Sequence, residues 1–129
     1  MKSIKVTCAI ITIKNKILAV QRSRVMSLPM KWEFPGGKIE PGESPEECVV
    51  RECREELEID IEVRDLFEQM TYSYPEREFE FLFFRASMTD GVPLASVHNC
   101  IKWVSPDMLE KYKFCPADVF VVEKLSKGK

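Results

Sequence analysis

With 129 residues and 45% hydrophobic content, the chain is long enough for one domain with a proper core and too short for two comfortable ones, so a single domain over 1–129 is expected. Nineteen Lys and Arg nearly balance twenty-one Asp and Glu, and the net charge of −2 lacks the basic excess that polymeric nucleic acid attracts. The longest early apolar run, "VTCAIITI", falls short of the roughly 18 to 20 residues that span a bilayer and has no small-residue cleavage site after it, which points to a cytoplasmic chain with no membrane partner.

"IKVTCAIIT", rich in β-branched residues, then "KNK" and "ILAVQR", read as strand, turn and strand. From Gln21 to Gly42 three prolines and three glycines argue for a loop with a short extended piece at "WEFPGG". Ser44 as N-cap, Pro45 at the first helical position and Glu47 completing a capping box predict a helix running to about Leu57. "RDLFEQMTYSY" and "REFEFLFFRASM" around "PE" predict a hairpin, since Glu78, Phe79, Glu80 and Phe81 alternate as a half-buried strand does. "IKWVS" reads as a last strand and "SPDMLEKY" as a short capped helix. "ADVFVVEKLSK" reads as a C-terminal helix with Val119, Val122 and Leu125 as a narrow buried stripe. Strands on both sides of one well-specified helix predict an α/β fold, a mixed sheet sandwiched between helices. The five cysteines include no C-x-x-C pair and read as reduced thiols, mostly small buried hydrophobes.

The stretch "RECREELEI" holds four glutamates in nine residues. On a helical wheel Glu55 and Glu56 fall about 60° and 40° to either side of Glu52, while Val50, Cys53 and Leu57 cluster roughly 100° to 160° away. Three carboxylates on one face repel each other, and Arg51, which reaches Glu55 at i,i+4, cannot neutralise all three. A solvated acidic face is the plain reading. The glycine-rich entry "FPGGKIEPGE", with exposed backbone and Lys38 beside the helix, favours a hard divalent cation completed by phosphate oxygens. Glu58 stands where a helix exit often uses glycine. It either takes the left-handed conformation, at a cost on the order of 1 to 2 kcal/mol, or lets the helix run on.

From Gly37 to Ile59 the chain reads "GKIEPGESPEECVVRECREELEI". This resembles the Nudix box, G-x5-E-x7-R-E-U-x-E-E-x-G-U with U a bulky apolar residue. The match places Gly37, Glu43, Arg51, Glu52, Glu55, Glu56 and Ile59 at fixed positions, with Cys53 a soft fit to U and Glu58 replacing the final glycine. "WEFPGGKIE" and the "YPER" hairpin tip are similar to the MutT-like branch, and the order of segments matches over nearly the whole chain.

The resemblance implies a Nudix fold and a Mg²⁺-dependent enzyme (Mn²⁺ a possible substitute) that converts a nucleoside triphosphate to the monophosphate and pyrophosphate. It implies that Glu52, Glu55 and Glu56, with the Gly36 carbonyl, ligate metal, and that Glu52 or a neighbouring acid takes a proton from water. Arg51 then orients the acids, Glu43 supports the ligand loop and Lys38 faces phosphate. It further implies that Arg22, Glu33, Phe34 and Arg77 line the nucleotide, although Phe34 beside Trp32 also reads as core and both arginines as ordinary surface residues. Asp118 matches a position where enzymes selecting 8-oxo-guanine nucleotides carry asparagine. An ionised aspartate only accepts hydrogen bonds, as from the cytosine amino group, so "CPAD" leans toward CTP or modified pyrimidine nucleotides. Asp118 is also a good N-cap for the last helix. Related enzymes often place an acid just before a histidine where Val97 and His98 stand here, which makes His98 either a substitute for that acid or a plain surface histidine.

The leading expectation is therefore nucleotide-pool housecleaning on a small-molecule nucleotide, by a monomer or homodimer. The alternatives are an 8-oxo-dGTP diphosphatase, an ADP-ribose or dinucleoside polyphosphate hydrolase, and a nucleotide-sensing domain without turnover.

Overall fold

The computed structural model describes residues 3–127, so the outermost residues of the expected 1–129 domain lie outside it. The strands are β1 (Ile4–Ile13), β2 (Lys16–Gln21), β3 (Trp32–Glu33), β4 (Gly36–Lys38), β5 (Asp60–Tyr74), β6 (Arg77–Asp90) and β7 (Cys100–Val104). The helices are α1 (Pro45–Leu57) and α2 (Val119–Ser126), with 3-10 turns at Pro106–Lys111 and Pro116–Asp118. None of the described helices is long and apolar enough to cross a membrane.

β1 runs parallel to β6, with Cys8 opposite Phe83, and antiparallel to β4, while β5 and β6 form the long hairpin. β2 pairs antiparallel with β3 and β7, and joins β1 only near the turn, where Thr12 faces Ile17. β1 is buried on both faces from Thr7 to Ile11, so its apolar run carries no alternation. One core holds Ala9, Ile11, Leu18, Val20, Phe84 and Ala86 against Val49, Cys53 and Leu57 of α1. The other holds Cys8, Ile10, Ile17, Ala19 and Phe83 against Leu109, Val121 and Val122. The mixed sheet thus lies between α1 on one side and the C-terminal segments on the other, as predicted.

α1 begins as its sequence dictates. The Ser44 side chain accepts from the Glu47 N–H at 3.0 Å and Glu47 accepts from the Ser44 N–H at 2.9 Å. It ends with Glu58 left-handed, at φ 59° and ψ 39°, its N–H bonded to the Arg54 carbonyl at 3.1 Å. Gly91, at φ 96°, packs so closely here that a Cβ would meet the Glu58 carbonyl oxygen.

Three local expectations change. Val49 is fully buried whereas Val50 is half-buried, because the start of α1 is also covered by the glycine-rich segment. The segment after β7 is a 3-10 helix whose leading Ser105 makes no side-chain cap. The last helix starts at Val119, after a 3-10 turn that shifts its phase. Val119 is consequently 43% exposed, and the buried side is Val121 and Val122 with Leu125 packed against them.

Candidate active site

α1 carries its acids past the β4 segment, and Arg51 gathers them. The Arg51 guanidinium donates to both oxygens of Glu43, at 2.6 and 3.1 Å, to Glu52 Oε2 at 3.1 Å and to Glu55 Oε1 at 3.1 Å. It also donates to the Lys38 carbonyl at 3.3 Å, tying the helix to the loop that leads into it. Glu43 accepts from the Glu40 N–H at 3.0 Å, so the same carboxylate closes that loop. The guanidinium holds the Glu43 carboxyl well below the usual range, at about 2. Burial pushes Glu52 up against the pull of Arg51, and pushes Glu56 up to about 7, with Glu52 and Glu33 adding to the effect.

The three glutamates divide. Glu56 faces a cavity of about 690 Å³, whereas Glu55 is 60% exposed, held by Arg51 on an outer groove with Glu47, Val50 and Val63. Among the described residues, no three carboxylate, imidazole or thiol groups converge in cation-binding geometry. The donor chemistry nevertheless fits a hard cation. Crowded, partly buried carboxylates whose protons are held up by burial are what a divalent ion relieves. Gly37 lies so close that a Cβ there would strike the Glu52 carboxyl group, so only glycine leaves this carboxylate in place. The Glu52 and Glu56 carboxyl groups lie against each other, whereas Glu55 is held away from them by Arg51.

The cavity runs from Gly36, Gly37 and Lys38 at the helix end to Asp118 at the other. Between them lie Glu33, Cys8, Cys115, Tyr74, Phe79 and Phe81. Asp118 is 3% exposed, and its Oδ2 accepts from the Phe34 N–H at 3.4 Å rather than capping α2. Burial, reinforced by the neighbouring Glu33, holds the Asp118 carboxyl well above its ordinary range. Cys8 and Cys115 line the same space as buried protonated thiols, and burial takes Cys115 up to about 12. All five cysteines are free, and four of them are buried.

Several expected nucleotide contacts are placed differently from their sequence reading. Phe34 is 2% exposed and packs at 5.2 Å on Phe114 and edge-on to Phe83, so most of its ring belongs to the core. Phe34 still contributes to the cavity lining, beside an aromatic wall of Tyr74, Phe79 and Phe81 that the alternation of β6 could have revealed. Arg77 is exposed at the hairpin tip, two residues beyond Phe79 and outside the cavity lining. Arg22 lines the cavity, but its guanidinium is committed to Glu33 Oε1 at 2.9 Å, the Ser27 carbonyl at 2.6 Å and Ser27 Oγ at 3.0 Å. It thereby fastens the segment that brings Met26, Ser27 and Leu28 into the cavity lining. His98 is no surface histidine. Its side chain is 2% exposed, and Nε2 lies 3.3 Å from Glu33 Oε2. Val97, beside it, is partly exposed and supplies no carboxylate.

A NUDIX domain family model matches residues 1–125. The chain is 35% identical over 128 residues to an 8-oxo-dGTP diphosphatase of Escherichia coli K12, covering 98% of this chain and 99% of that one. It is also 35% identical over 123 residues to the CTP pyrophosphohydrolase of the same organism, covering 95% and 91%. Among solved structures, that of the E. coli ORF135 protein superposes with a TM-score of 0.84 at 35% identity, covering 95% of this chain and 88% of the other. The MutT protein of methicillin-resistant Staphylococcus aureus 252 superposes at 0.79 with 37% identity, covering 99% and 98%. With its box on α1 and its mixed sheet between helices, the chain belongs to the NUDIX domain family and is a Nudix hydrolase of the MutT-like type.

Proposed function

We propose that the protein is a Mg²⁺-dependent nucleoside triphosphate pyrophosphohydrolase, acting as a single cytoplasmic domain, that releases pyrophosphate and leaves the monophosphate. The observation that carries this reading is a cavity lined by both Glu56 and Asp118, with the Glu52 carboxyl group packed against Gly37 of its wall. A triphosphate lies with its phosphates toward Lys38 and α1, and its base between Asp118 and the Tyr74, Phe79 and Phe81 wall. Glu52, Glu55, Glu56 and the Gly36 carbonyl would hold the cation, which would supply neutralisation of phosphate charge and activation of water. Glu52, positioned through Arg51 Nη1, accepts the proton of the attacking water. Glu43 keeps Arg51 in place, and Lys38 faces the phosphates.

The base preference departs from the sequence lean toward pyrimidines. That lean assumed an ionised Asp118, whereas burial raises this carboxyl and favours its protonated form, which donates as well as accepts. Asp118 can therefore act as the asparagine of 8-oxo-guanine-selecting relatives does. Together with Glu33 it forms a wall richer in acceptors than donors, which suits the donor-rich edge of guanine and its oxidised form. CTP is the second reading, supported by the neutral carboxyl's ability to pair with the cytosine amino group and ring nitrogen.

The test is a panel of ribo- and deoxynucleoside triphosphates including 8-oxo-dGTP and CTP, with pyrophosphate and orthophosphate measured separately. Pyrophosphate release from an oxidised guanine nucleotide above all others is expected. Predominant orthophosphate defeats the assignment, and a preference for CTP selects the second reading.

A further inference from the structure

His98 is a buried titratable side chain that the mechanism above leaves unused. It sits in the cavity lining between the acidic end of α1 and the base-facing acids. Its backbone is pinned on both sides. Ser96 Oγ donates to the Glu56 carbonyl at 3.1 Å and the Leu94 N–H to the Leu57 carbonyl at 3.0 Å, which fastens the preceding residues to the exit of α1. On the other side the Asn99 N–H donates to the Gln21 carbonyl at 2.8 Å, and its side chain to Gln21 Oε1 at 2.7 Å. The imidazole therefore stands at a fixed place between α1 and the β2–β3 pair.

Its one partner among the described residues is Glu33. A carboxylate oxygen accepts, so Nε2 carries the proton and donates to Oε2, while Arg22 holds Oε1 from the opposite side. A carboxylate has about four acceptor sites. With one site on each oxygen taken, Glu33 cannot swing, and its remaining sites keep a set direction. The other ring nitrogen, Nδ1, is buried with no hydrogen-bond partner among the described residues. An apolar side chain of similar size would bury no such orphan, so the imidazole is a poor choice for packing alone. Its use lies in the nitrogen that reaches Glu33.

Building on the nucleotide reading above, we propose that His98 is a positioning residue for base selection: with Arg22 it clamps the Glu33 carboxylate in the orientation in which Glu33 and Asp118 together read the base. His98 itself touches neither the phosphates nor the reacting atoms.

The experiment compares His98→Gln, whose amide nitrogen reaches about as far as Nε2, with His98→Asn, whose amide stops near Nδ1. Selectivity is read as the ratio of kcat/KM for the best nucleotide to that for a competitor, in variants that retain a cooperative thermal transition. His98→Gln is expected to keep the ratio, and His98→Asn to lose roughly tenfold, the size of one charge-assisted hydrogen bond, mostly through KM. Adding His98→Asn to Glu33→Gln should cost nothing more, because His98 acts on the base only through Glu33. Unchanged selectivity in both variants overturns the proposal. So does equal loss in both, or a loss shared by kcat and melting temperature, which marks a structural role. Those results leave the enzyme assignment standing, whereas a wild-type protein that releases no pyrophosphate from any nucleotide overturns the assignment and this inference together.

Discussion

Burial in the cavity wall, reinforced by Glu33, raises the Asp118 carboxyl well above its ordinary range, against the Phe34 N–H and the Arg22 charge, which favour the ionised form. An acid raised in this way carries a stability signature with a definite sign. Between the unfolded carboxyl range and its raised native value, the unfolded chain releases the proton while the folded chain retains it, so stability falls as pH rises through that window. Asp118→Asn removes this contribution and keeps a donor and an acceptor. The variant should melt higher than wild type at neutral pH, with the difference shrinking toward pH 4, as followed by thermal melts across pH. Selection of the oxidised guanine nucleotide should persist, and a melting difference that does not vary with pH would show that Asp118 is ionised. None of this burial was legible in "CPAD", because the side chain's environment is made by Glu33 and Phe34, more than eighty residues earlier. His98 was opaque for the same reason, since its side chain's hydrogen bond reaches Glu33 across sixty-five positions.

At the scale of elements, α1 was legible from end to end because its signals are local. Ser44, Pro45 and Glu47 fall within four positions, and the capping box forms between them. The exit was legible as a question, and Glu58 answers it by adopting the left-handed conformation. Glu58→Gly should stabilise the protein by about 0.5 to 1 kcal/mol, the ~1–2 kcal/mol relieved there less the ~0.5–1 kcal/mol of extra freedom glycine gives the unfolded chain. Urea denaturation midpoints test this, and since Glu58 is exposed beyond the acidic face, pyrophosphate release should not change. The last helix was read less well. A pattern of valines gave a stripe through Val119, but the 3-10 turn at Pro116–Asp118 rotates the helix so that Val121 is buried instead. Periodicity reports a face only when the starting phase is known, and that phase was set by a turn the sequence did not announce.

For the whole molecule, the metal site proposed at the acidic end of α1 predicts a coupling between metal and stability. Without a cation, the Glu56 carboxyl is held up to about 7 by burial, so the metal-free protein loses stability as pH rises from the ordinary carboxylate range toward 7. A cation that binds only the folded chain opposes this by mass action, contributing about 2.7 kcal/mol at a hundredfold excess over its dissociation constant. Titrating Mg²⁺ into chelator-treated protein at pH 7 should therefore raise the melting temperature. Glu56→Gln should raise the metal-free value and abolish the response, and a variant still stabilised by Mg²⁺ would move the ion away from Glu56. The cavity has a different make-up from the helix that serves it. The acids come from one continuous turn-by-turn segment, whereas Cys8, Glu33, Phe81, His98 and Asp118 are delivered to its walls by five separate parts of the chain. Substitutions that redraw what the walls recognise can therefore accumulate one at a time without disturbing the helix. A lineage built on this scaffold can change diet while keeping its chemistry.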